Sequence, residues 1–202
     1  LAEPSASTSQ EELRTVLEKD IPESLDYILA GVVKIDALLS GFLRYSRLGR
    51  AAITIRTLDM NALMQSVAKA MEFQIQRAGA KVELQPLPEC FGDETHLSQV
   101  FSNLLDNALK YLDEKRPGII TVSGEVQDSR AVFAVRDNGI GITREHQPRI
   151  FEIFHRLNPA CGEGEGLGLT IAQRLLERQN GKVWVDSTPG VGSVFYVSLP
   201  RP

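Results

Sequence analysis

Apolar residues recur at helical spacing early in the chain. Between residues 25 and 42 they lie three and four apart, at Leu25, Ile28, Val32, Ile35, Leu39 and Phe42. This period is typical of a helix that supercoils against other helices. A shorter helix is predicted before it, since Ser9 and Glu12 have capping-box spacing, and it should end near Asp20 and Pro22.

The apolar face of the longer helix is wide. Leu29, Leu38 and Leu43 extend it beyond a two-stranded seam, toward the face used in a four-helix bundle. One short and one long helix cannot form such a bundle alone, so we expect two chains to supply four helices as a symmetric dimer. The alternative is that the long helix packs on the domain that follows it. The unequal helix lengths, and a first residue that is Leu1 rather than methionine, favour a hairpin truncated at its N-terminus.

The pattern changes after Gly49. Strands are predicted at about 53–57, 81–86, 118–127, 130–137, 182–187 and 193–199, with helices at 60–78, 97–112, 145–154 and 167–179. Consecutive strands look like hairpins, which favours a mixed, mostly antiparallel sheet with helices on one face. We therefore expect an α+β chain, with a dimerisation hairpin at residues 1–50 and an α/β sandwich at 51–202.

Composition narrows the function classes. The 202 residues carry a formal net charge of -4, which gives no support to a nucleic-acid-binding or anionic-membrane surface. The chain has no run of eighteen apolar residues and no signal-peptide pattern. Its two cysteines, Cys90 and Cys161, lie far apart and outside metal-binding spacing. A reduced, cytoplasmic location is the simplest expectation.

Two asparagines stand one turn apart on a predicted core helix. The apolar positions of that helix are Leu97, Val100, Phe101, Leu104, Leu105, Ala108, Leu109 and Leu112. Asn103, Asn107 and either Lys110 or Tyr111 fall along one flank. Because asparagine is a poor helix former, the pair needs an explanation. The row either faces solvent or lines a polar site for a hard cation and phosphates.

Two glycine-rich stretches follow. In the first, DNGIGI, an acid at a strand end precedes alternate glycines, which would let a flat ring approach the backbone while Asp137 accepts a hydrogen bond from it. The alternative is an ordinary turn. In the second stretch, alternating Gly164, Gly166 and Gly168 lead into an apolar helix, whose N-terminus is suited to phosphate oxygens. The alternative there is a mobile surface loop.

Together the three motifs resemble the ATP-binding domain of sensor histidine kinases, whose wider family includes type II topoisomerases, Hsp90-type chaperones and mismatch-repair ATPases. The resemblance covers about residues 53–200. IFEIFHRL at 150–157 is similar to the family's F box, and QNGKVWVDSTPGVGSVFYVSLP to its closing strands. FLRYSRLGR at 42–50 is similar to the end of the second helix in the dimerisation hairpin of such kinases.

The resemblance implies a role for each motif. Asn107 would hold a magnesium ion that bridges the ATP phosphates, Lys110 would contact phosphate, Tyr111 would lie beside the nucleotide, and Asp137 would accept from the adenine amino group. Arg156 could add a cation to the phosphate region. The implied nucleotide site comprises Asn103, Asn107, Lys110, Tyr111, Asp137, Gly139, Gly141, Ile142, Phe154, Arg156, Gly164, Gly166, Leu167 and Gly168.

Asn103 and Lys110 are the candidate catalytic residues. The hydrolysing relatives place a glutamate at the position of Asn103, and an amide cannot act as a general base. Slow hydrolysis and transfer to another nucleophile are therefore expected. The resemblance implies that the γ-phosphoryl group passes to a histidine, for relay to an aspartate of a response regulator. Catalysis would rest on positioning and on charge neutralisation by Mg²⁺ and Lys110.

The chain departs from the pattern in two places. Residues 10–20 contain no acceptor histidine, and Glu165 places an acid between glycines beside the expected triphosphate. The acceptor either lay upstream of a truncated first helix or never existed. Two other functions stay open: an acceptor-less pseudokinase that acts as a dimeric docking module, and an ATPase or serine kinase of the same superfamily.

Overall fold

A computed structural model of the chain describes residues 13–48, 52–154 and 166–202. The chain divides into two units, Leu1–Ser46 and Arg47–Pro202. The predicted capping residues Ser9 and Glu12 lie outside the described residues. Among the residues described, no helix combines the length and the apolar character that crossing a membrane requires.

The described chain from residue 13 to Leu48 is helical without a break. A π-helical turn at Val16–Asp20 leads directly into α1, Ile21–Leu48. The predicted end near Asp20 and Pro22 is therefore wrong. Proline lacks an N–H and crowds the preceding turn, and the π-helical turn accommodates it: Ile21 N–H donates to the carbonyl five residues back, at Val16. The chain passes Pro22 while remaining helical.

The apolar face of α1 is exposed within the described part of this unit. Seven of its residues are between 53% and 61% exposed: Leu25, Ile28, Leu29, Val32, Ile35, Leu39 and Leu43. They follow the spacing seen in the sequence. A face of this length and composition is normally covered by other helices.

The second unit alternates strands and helices. Its elements are β1 (Arg56–Leu58), α2 (Met60–Ala70), α3 (Glu72–Arg77), β2 (Lys81–Leu84), β3 (Cys90–Gly92), α4 (Glu94–Lys110), β4 (Ile119–Gln127), β5 (Arg130–Asp137), α5 (Gly168–Glu177), β6 (Lys182–Thr188) and β7 (Gly192–Pro200). Strands β1 and β3 form a small antiparallel pair. The other strands form one sheet in the order β2-β4-β5-β7-β6.

The main sheet is mixed, as predicted. Its β2–β4 pair is parallel, and its other three pairs are antiparallel. Helix α4 packs on one face, where Phe101 meets Phe133 of β5 edge to face with ring centroids 5.8 Å apart. Trp184 and Tyr196 stack on the opposite face, and Trp184 is 41% exposed. The core therefore lies between the sheet and the helices that cover one side of it.

Two predicted helices differ from the structure, the first strand begins at Arg56 rather than near 53, and one strand was not predicted. The helix expected at 60–78 divides at Met71 into α2 and α3, and the short β3 was not predicted. The helix expected at 145–154 is wrong: this segment forms successive turns, such as Arg149 N–H to the His146 carbonyl at 2.9 Å. Pro148 explains the difference, because it donates no hydrogen bond and disfavours helical geometry in the residue before it.

Candidate functional site

Asp137 ends β5 and is buried, with 7% of its surface exposed. One oxygen, Oδ1, accepts from Gly139 N–H at 2.8 Å and from Ser193 N–H at 3.2 Å. Among the hydrogen bonds of the described residues, none uses Oδ2. Burial raises the pKa of Asp137, and the two N–H groups and the charge of Arg116 only partly oppose that rise. The site thus keeps a buried acceptor oxygen available.

The glycines after Asp137 allow chain segments to approach one another. A Cβ at Gly139 would overlap the carbonyl oxygen of Tyr111. That carbonyl accepts from Ile140 N–H at 2.9 Å. Gly141 has a φ of +72°, and a Cβ there would overlap the Thr188 carbonyl. The sequence suggested that these glycines admit a flat ring, but the structure supplies a different reason, which is close contact between backbones.

Asn103 joins α4 to the start of α5. Its amide nitrogen donates to the Gly168 carbonyl at 3.0 Å, and Gly168 is the first residue of α5. The predicted asparagine row therefore does not face open solvent along its whole length. Its first member is partly buried and holds the helix that follows the second glycine stretch.

Asn107 and Lys110 differ in their surroundings. The Asn107 side chain is half-buried and makes no hydrogen bond to any of the described residues. Lys110 is exposed, and its Nζ lies 2.6 Å from Oδ2 of Asp106 on the preceding turn. Sequence reasoning missed Asp106, although the separation of four residues is the spacing at which opposite charges meet on a helix.

Helix α4 connects the two glycine stretches. Near its middle Asn103 contacts the start of α5, and just after its end the Tyr111 carbonyl contacts the turn after Asp137. Asn107 stands one helical turn from each of these two contacts. The structure thus places the asparagine row between the Asp137 turn and the start of α5.

The second glycine stretch is described only from residue 166 onward. Phe154 N–H donates to the Gly166 carbonyl at 3.2 Å, so these two predicted site residues are adjacent. Leu167 is buried at the start of α5, and Ile142, also buried, donates its N–H to Ser187 Oγ at 2.8 Å. Three residues that the sequence analysis placed at or beside the nucleotide site lie outside the described residues: Arg156, Gly164 and Glu165.

Arg116 is a part of this region that the sequence did not reveal. Its Nη2 donates to the carbonyls of Gly139 at 2.9 Å and Gly190 at 2.8 Å. It stands in a polar loop between α4 and β4, in no recognisable motif. Only the meeting of distant turns in the fold brings it close to Asp137.

The side-chain oxygen available at this site suits a cation that arrives bound to a nucleotide. Within residues 13–48, 52–154 and 166–202, no cluster of three or more histidine, cysteine or acidic side chains could hold a metal. The free Asn107 amide offers one hard oxygen ligand. Magnesium commonly takes few protein ligands and completes its coordination with phosphate oxygens and water, so the site suits a magnesium–nucleotide complex.

Comparison with known proteins assigns the family. Residues 92–202 match the family described as Histidine kinase-, DNA gyrase B-, and HSP90-like ATPase. The match covers more than half of the chain and includes α4, the Asp137 turn and α5. The chain belongs to this family.

Individual relatives extend the likeness beyond this domain. The chain is 34% identical to phytochrome-like protein Cph1 of Synechocystis over 185 residues, covering 91% of this chain and 25% of Cph1. It is 30% identical to the methanogenesis regulatory histidine kinase FilI of Methanothrix harundinacea over 194 residues, 96% of this chain and 22% of FilI. The chain therefore spans about a quarter of the length of these curated relatives.

Among solved structures, full-length ShkA in complex with AMPPNP is similar. The TM-score is 0.70 and the identity 29%, over 98% of this chain and 40% of ShkA. The likeness thus covers both units of the chain. The predicted resemblance to histidine kinases is confirmed, and so is the predicted α+β fold.

Proposed function

We propose that this chain is the catalytic part of a histidine kinase. It binds Mg-ATP and transfers the γ-phosphoryl group to a histidine, for relay to an aspartate of a response regulator. The observation that carries the proposal is the position of Asn107 on α4, between the contact of Asn103 with α5 and the contact of Tyr111 with the Asp137 turn. The likeness to the histidine kinase FilI and to AMPPNP-bound ShkA supports it.

Asp137 recognises the adenine. Its Oδ1 is occupied by two backbone N–H groups, and Oδ2 accepts from the adenine amino group. A hydrogen bond to a charged acceptor contributes roughly 1.5–3 kcal/mol. Guanine carries an acceptor at the same place, so the buried carboxylate selects ATP over GTP.

Asn107 and Lys110 bind the phosphate end. Asn107 supplies an amide oxygen to Mg²⁺, which when bound neutralises phosphate charge during transfer. Lys110 supplies an ammonium group that has three donors. The ion pair with Asp106 occupies one of them and leaves the others for phosphate oxygens.

Asn103 favours transfer over hydrolysis. Its amide holds the Gly168 carbonyl and cannot take a proton from water near neutral pH. ATP bound beside Asn103 is therefore hydrolysed slowly, and the γ-phosphoryl group remains available for another nucleophile. This distinguishes the proposed kinase from an ATPase of the same superfamily.

The apolar face of α1 is the proposed dimer contact. Seven large apolar side chains are more than half exposed along it, and a second copy of the helix would cover them. Residues 1–50 then form the dimerisation part, and residues 51–202 form the ATP-binding domain. We place this part of the protein in the cytoplasm, together with its response regulator.

Titration with a fluorescent ATP analogue, with and without Mg²⁺, tests the binding site. In the presence of Mg²⁺, Asn107→Ala should weaken binding about tenfold or more, because a metal ligand is lost, and should have little effect without the ion. Asn61→Ala is the matched control. The Asn61 amide pairs with the backbone of Leu87, so its loss should lower thermal stability and leave nucleotide affinity unchanged.

This titration and an assay of steady-state phosphate release together distinguish the kinase from a docking module and from an ATPase. No saturable binding at high micromolar Mg-ATP would contradict the proposal and favour a docking module. Binding accompanied by rapid steady-state phosphate release would favour an ATPase. A kinase should bind Mg-ATP, release phosphate slowly and transfer the γ-phosphoryl group to an acceptor histidine supplied on a longer chain, because residues 10–20 of this chain contain none.

A further inference from the structure

The Arg116 side chain stands where three loops meet. Its Nη2 donates to the Gly139 carbonyl in the turn after β5, and to the carbonyls of Gly190 and, at 3.3 Å, Val191 between β6 and β7. Its Nε lies 3.5 Å from Oδ2 of Asp113, in the loop that leaves α4. One guanidinium group therefore ties the loop after α4 to two other loops.

The contact with Gly139 acts on the turn that orients Asp137. Gly139 N–H donates to Asp137 Oδ1, and its carbonyl accepts from Arg116. Both ends of this residue are thus fixed, one by the acid and the other by the guanidinium. The charge of Arg116 also favours the ionised form of Asp137 against the effect of burial on its pKa.

The second contact acts near the other N–H donor to the same carboxylate oxygen. Ser193 N–H also donates to Asp137 Oδ1, and Ser193 is the second residue of β7, which follows the turn that carries Gly190 and Val191. By binding the carbonyls of that turn, Arg116 fixes the segment that leads into Ser193. One N–H donor to Asp137 therefore belongs to a residue whose carbonyl the guanidinium binds, and the other lies two residues after the second bound turn.

We infer that Arg116 is a positioning residue for base recognition: it holds the two turns that aim the Asp137 carboxylate at the adenine. This inference rests on the proposed nucleotide-binding function. Arg116 needs no contact with the nucleotide in this role. Its effect is on the direction and the charge of the acceptor, and therefore on the preference for adenine.

Arg130 provides a matched comparison. It begins β5, whereas Asp137 ends it, and its Nη2 also donates to two backbone carbonyls, those of Asn180 and Ser198. Both arginines thus fasten loops or strands through carbonyl groups. Arg130 does so at the end of the sheet far from Asp137, so its loss should reduce stability without changing base recognition.

The experiment compares Arg116→Met, Arg116→Lys and Arg130→Met in the full chain. Affinities for Mg-ATP and Mg-GTP are measured at a temperature where all variants are folded, together with thermal unfolding. Arg116→Met should weaken ATP binding about tenfold and reduce the preference for ATP over GTP by a similar factor. Arg116→Lys keeps the charge and a three-donor group, so it should recover part of both. Arg130→Met should unfold at a lower temperature with both affinities unchanged.

Two results would contradict the role of Arg116, and a third would contradict the proposed function. An Arg116→Met protein with the ATP/GTP preference of wild type would overturn the inference, even if it were less stable. Equal effects of Arg116→Met and Arg130→Met on nucleotide affinity would also overturn it. If the wild-type chain binds neither nucleotide, the proposed function itself fails, whereas wild-type binding with an unchanged Arg116→Met preference contradicts only the role of Arg116.

Discussion

Two buried aspartates of the second unit have opposite properties. Asp93 caps the start of α4 and Asp137 ends β5, and both are at most 9% exposed. Burial acts to raise the pKa of Asp93, but hydrogen bonds from the Thr54 and His96 N–H groups outweigh it, and the pKa is lowered. Burial of Asp137 outweighs its partners instead, and its pKa is raised.

The difference lies in how the carboxylate oxygens are used. Asp93 engages both of them, since Oδ1 accepts from His96 N–H at 3.0 Å and Oδ2 from Thr54 N–H at 2.9 Å. Asp137 accepts two N–H groups on Oδ1 alone. Asp93 is therefore a structural acid whose partners all come from the chain. Asp137 retains an acceptor that the fold does not use, which is the arrangement expected of a ligand-binding acid.

The strongest test of this difference is Asp137→Asn. The amide oxygen can still accept from Gly139 and Ser193, but the amide nitrogen can oppose the adenine amino group. Mg-ATP affinity should fall roughly 100-fold, with no loss of thermal stability, since a buried charge is removed. Isothermal titration and thermal unfolding measure the two effects.

Asp93→Asn is the control for that variant and should bind Mg-ATP as wild type does. An Asp137→Asn protein that binds ATP within about threefold of wild type would contradict the role of Asp137. The two substitutions make the same chemical change at two buried carboxylates, so any difference between them reports the use of each acid.

Asp93→Ala should give the next largest effect, which is a decrease in the stability of the fold. The substitution removes an N-cap hydrogen bond and the hydrogen bond from Thr54, so the free energy of unfolding should decrease by about 2 kcal/mol. Urea denaturation measures the change. Nucleotide affinity should stay at the wild-type value at temperatures where the variant is folded, and a parallel loss of affinity would show that the two acids do not have separate roles.

The smallest effect is the dependence of stability on pH. The pKa of Asp137 is raised in the folded state, so its protonated form stabilises the fold, and this contribution is lost as pH rises through the raised pKa. The pKa of Asp93 is lowered, so its contribution is present above the ordinary aspartate pKa and is lost as pH falls through the lowered value. Denaturation of wild type and of the two Asp→Asn variants across acidic pH should therefore show slopes of opposite sign.

ATP affinity provides a second measurement of the same titration. Because only the ionised Asp137 is a full acceptor, binding should weaken as pH falls through the raised pKa. The weakening should begin above the pH at which an exposed aspartate titrates. Affinity that stays constant through this window would contradict the assignment.

Local patterns of apolar residues were enough to predict several helices and strands of the second unit. The apolar spacing around Asn103 and Asn107 predicted α4, and the strand ending at Asp137 was placed at the correct residue. Pro22 and Pro148 show where local rules fail. The first is passed by a π-helical turn, and the second prevents a helix that the surrounding residues would favour.

Long-range contacts account for most of what the sequence did not reveal. Arg116 meets Gly139 and Gly190 across separations of 23 and 74 residues, and no motif marks such a meeting. The sequence indicated that Gly139 leaves space for a flat ring to approach, whereas in the fold the Tyr111 carbonyl lies where its side chain would be. The sequence pattern predicts which residues could form a site, whereas only the fold shows which contacts hold those residues in place.

Helix α4 also fixes the distance between the two segments that it contacts. Asn103 and Tyr111 are eight residues apart, and they contact the start of α5 and the turn after Asp137, so at 1.5 Å per residue the helix holds these two segments about 12 Å apart along its axis. An inserted residue between them would turn one fastening about 100° away from the other. For the proposed nucleotide site, this spacing sets the separation between the Asp137 turn and the start of α5, so an insertion or deletion between Asn103 and Tyr111 should weaken nucleotide binding.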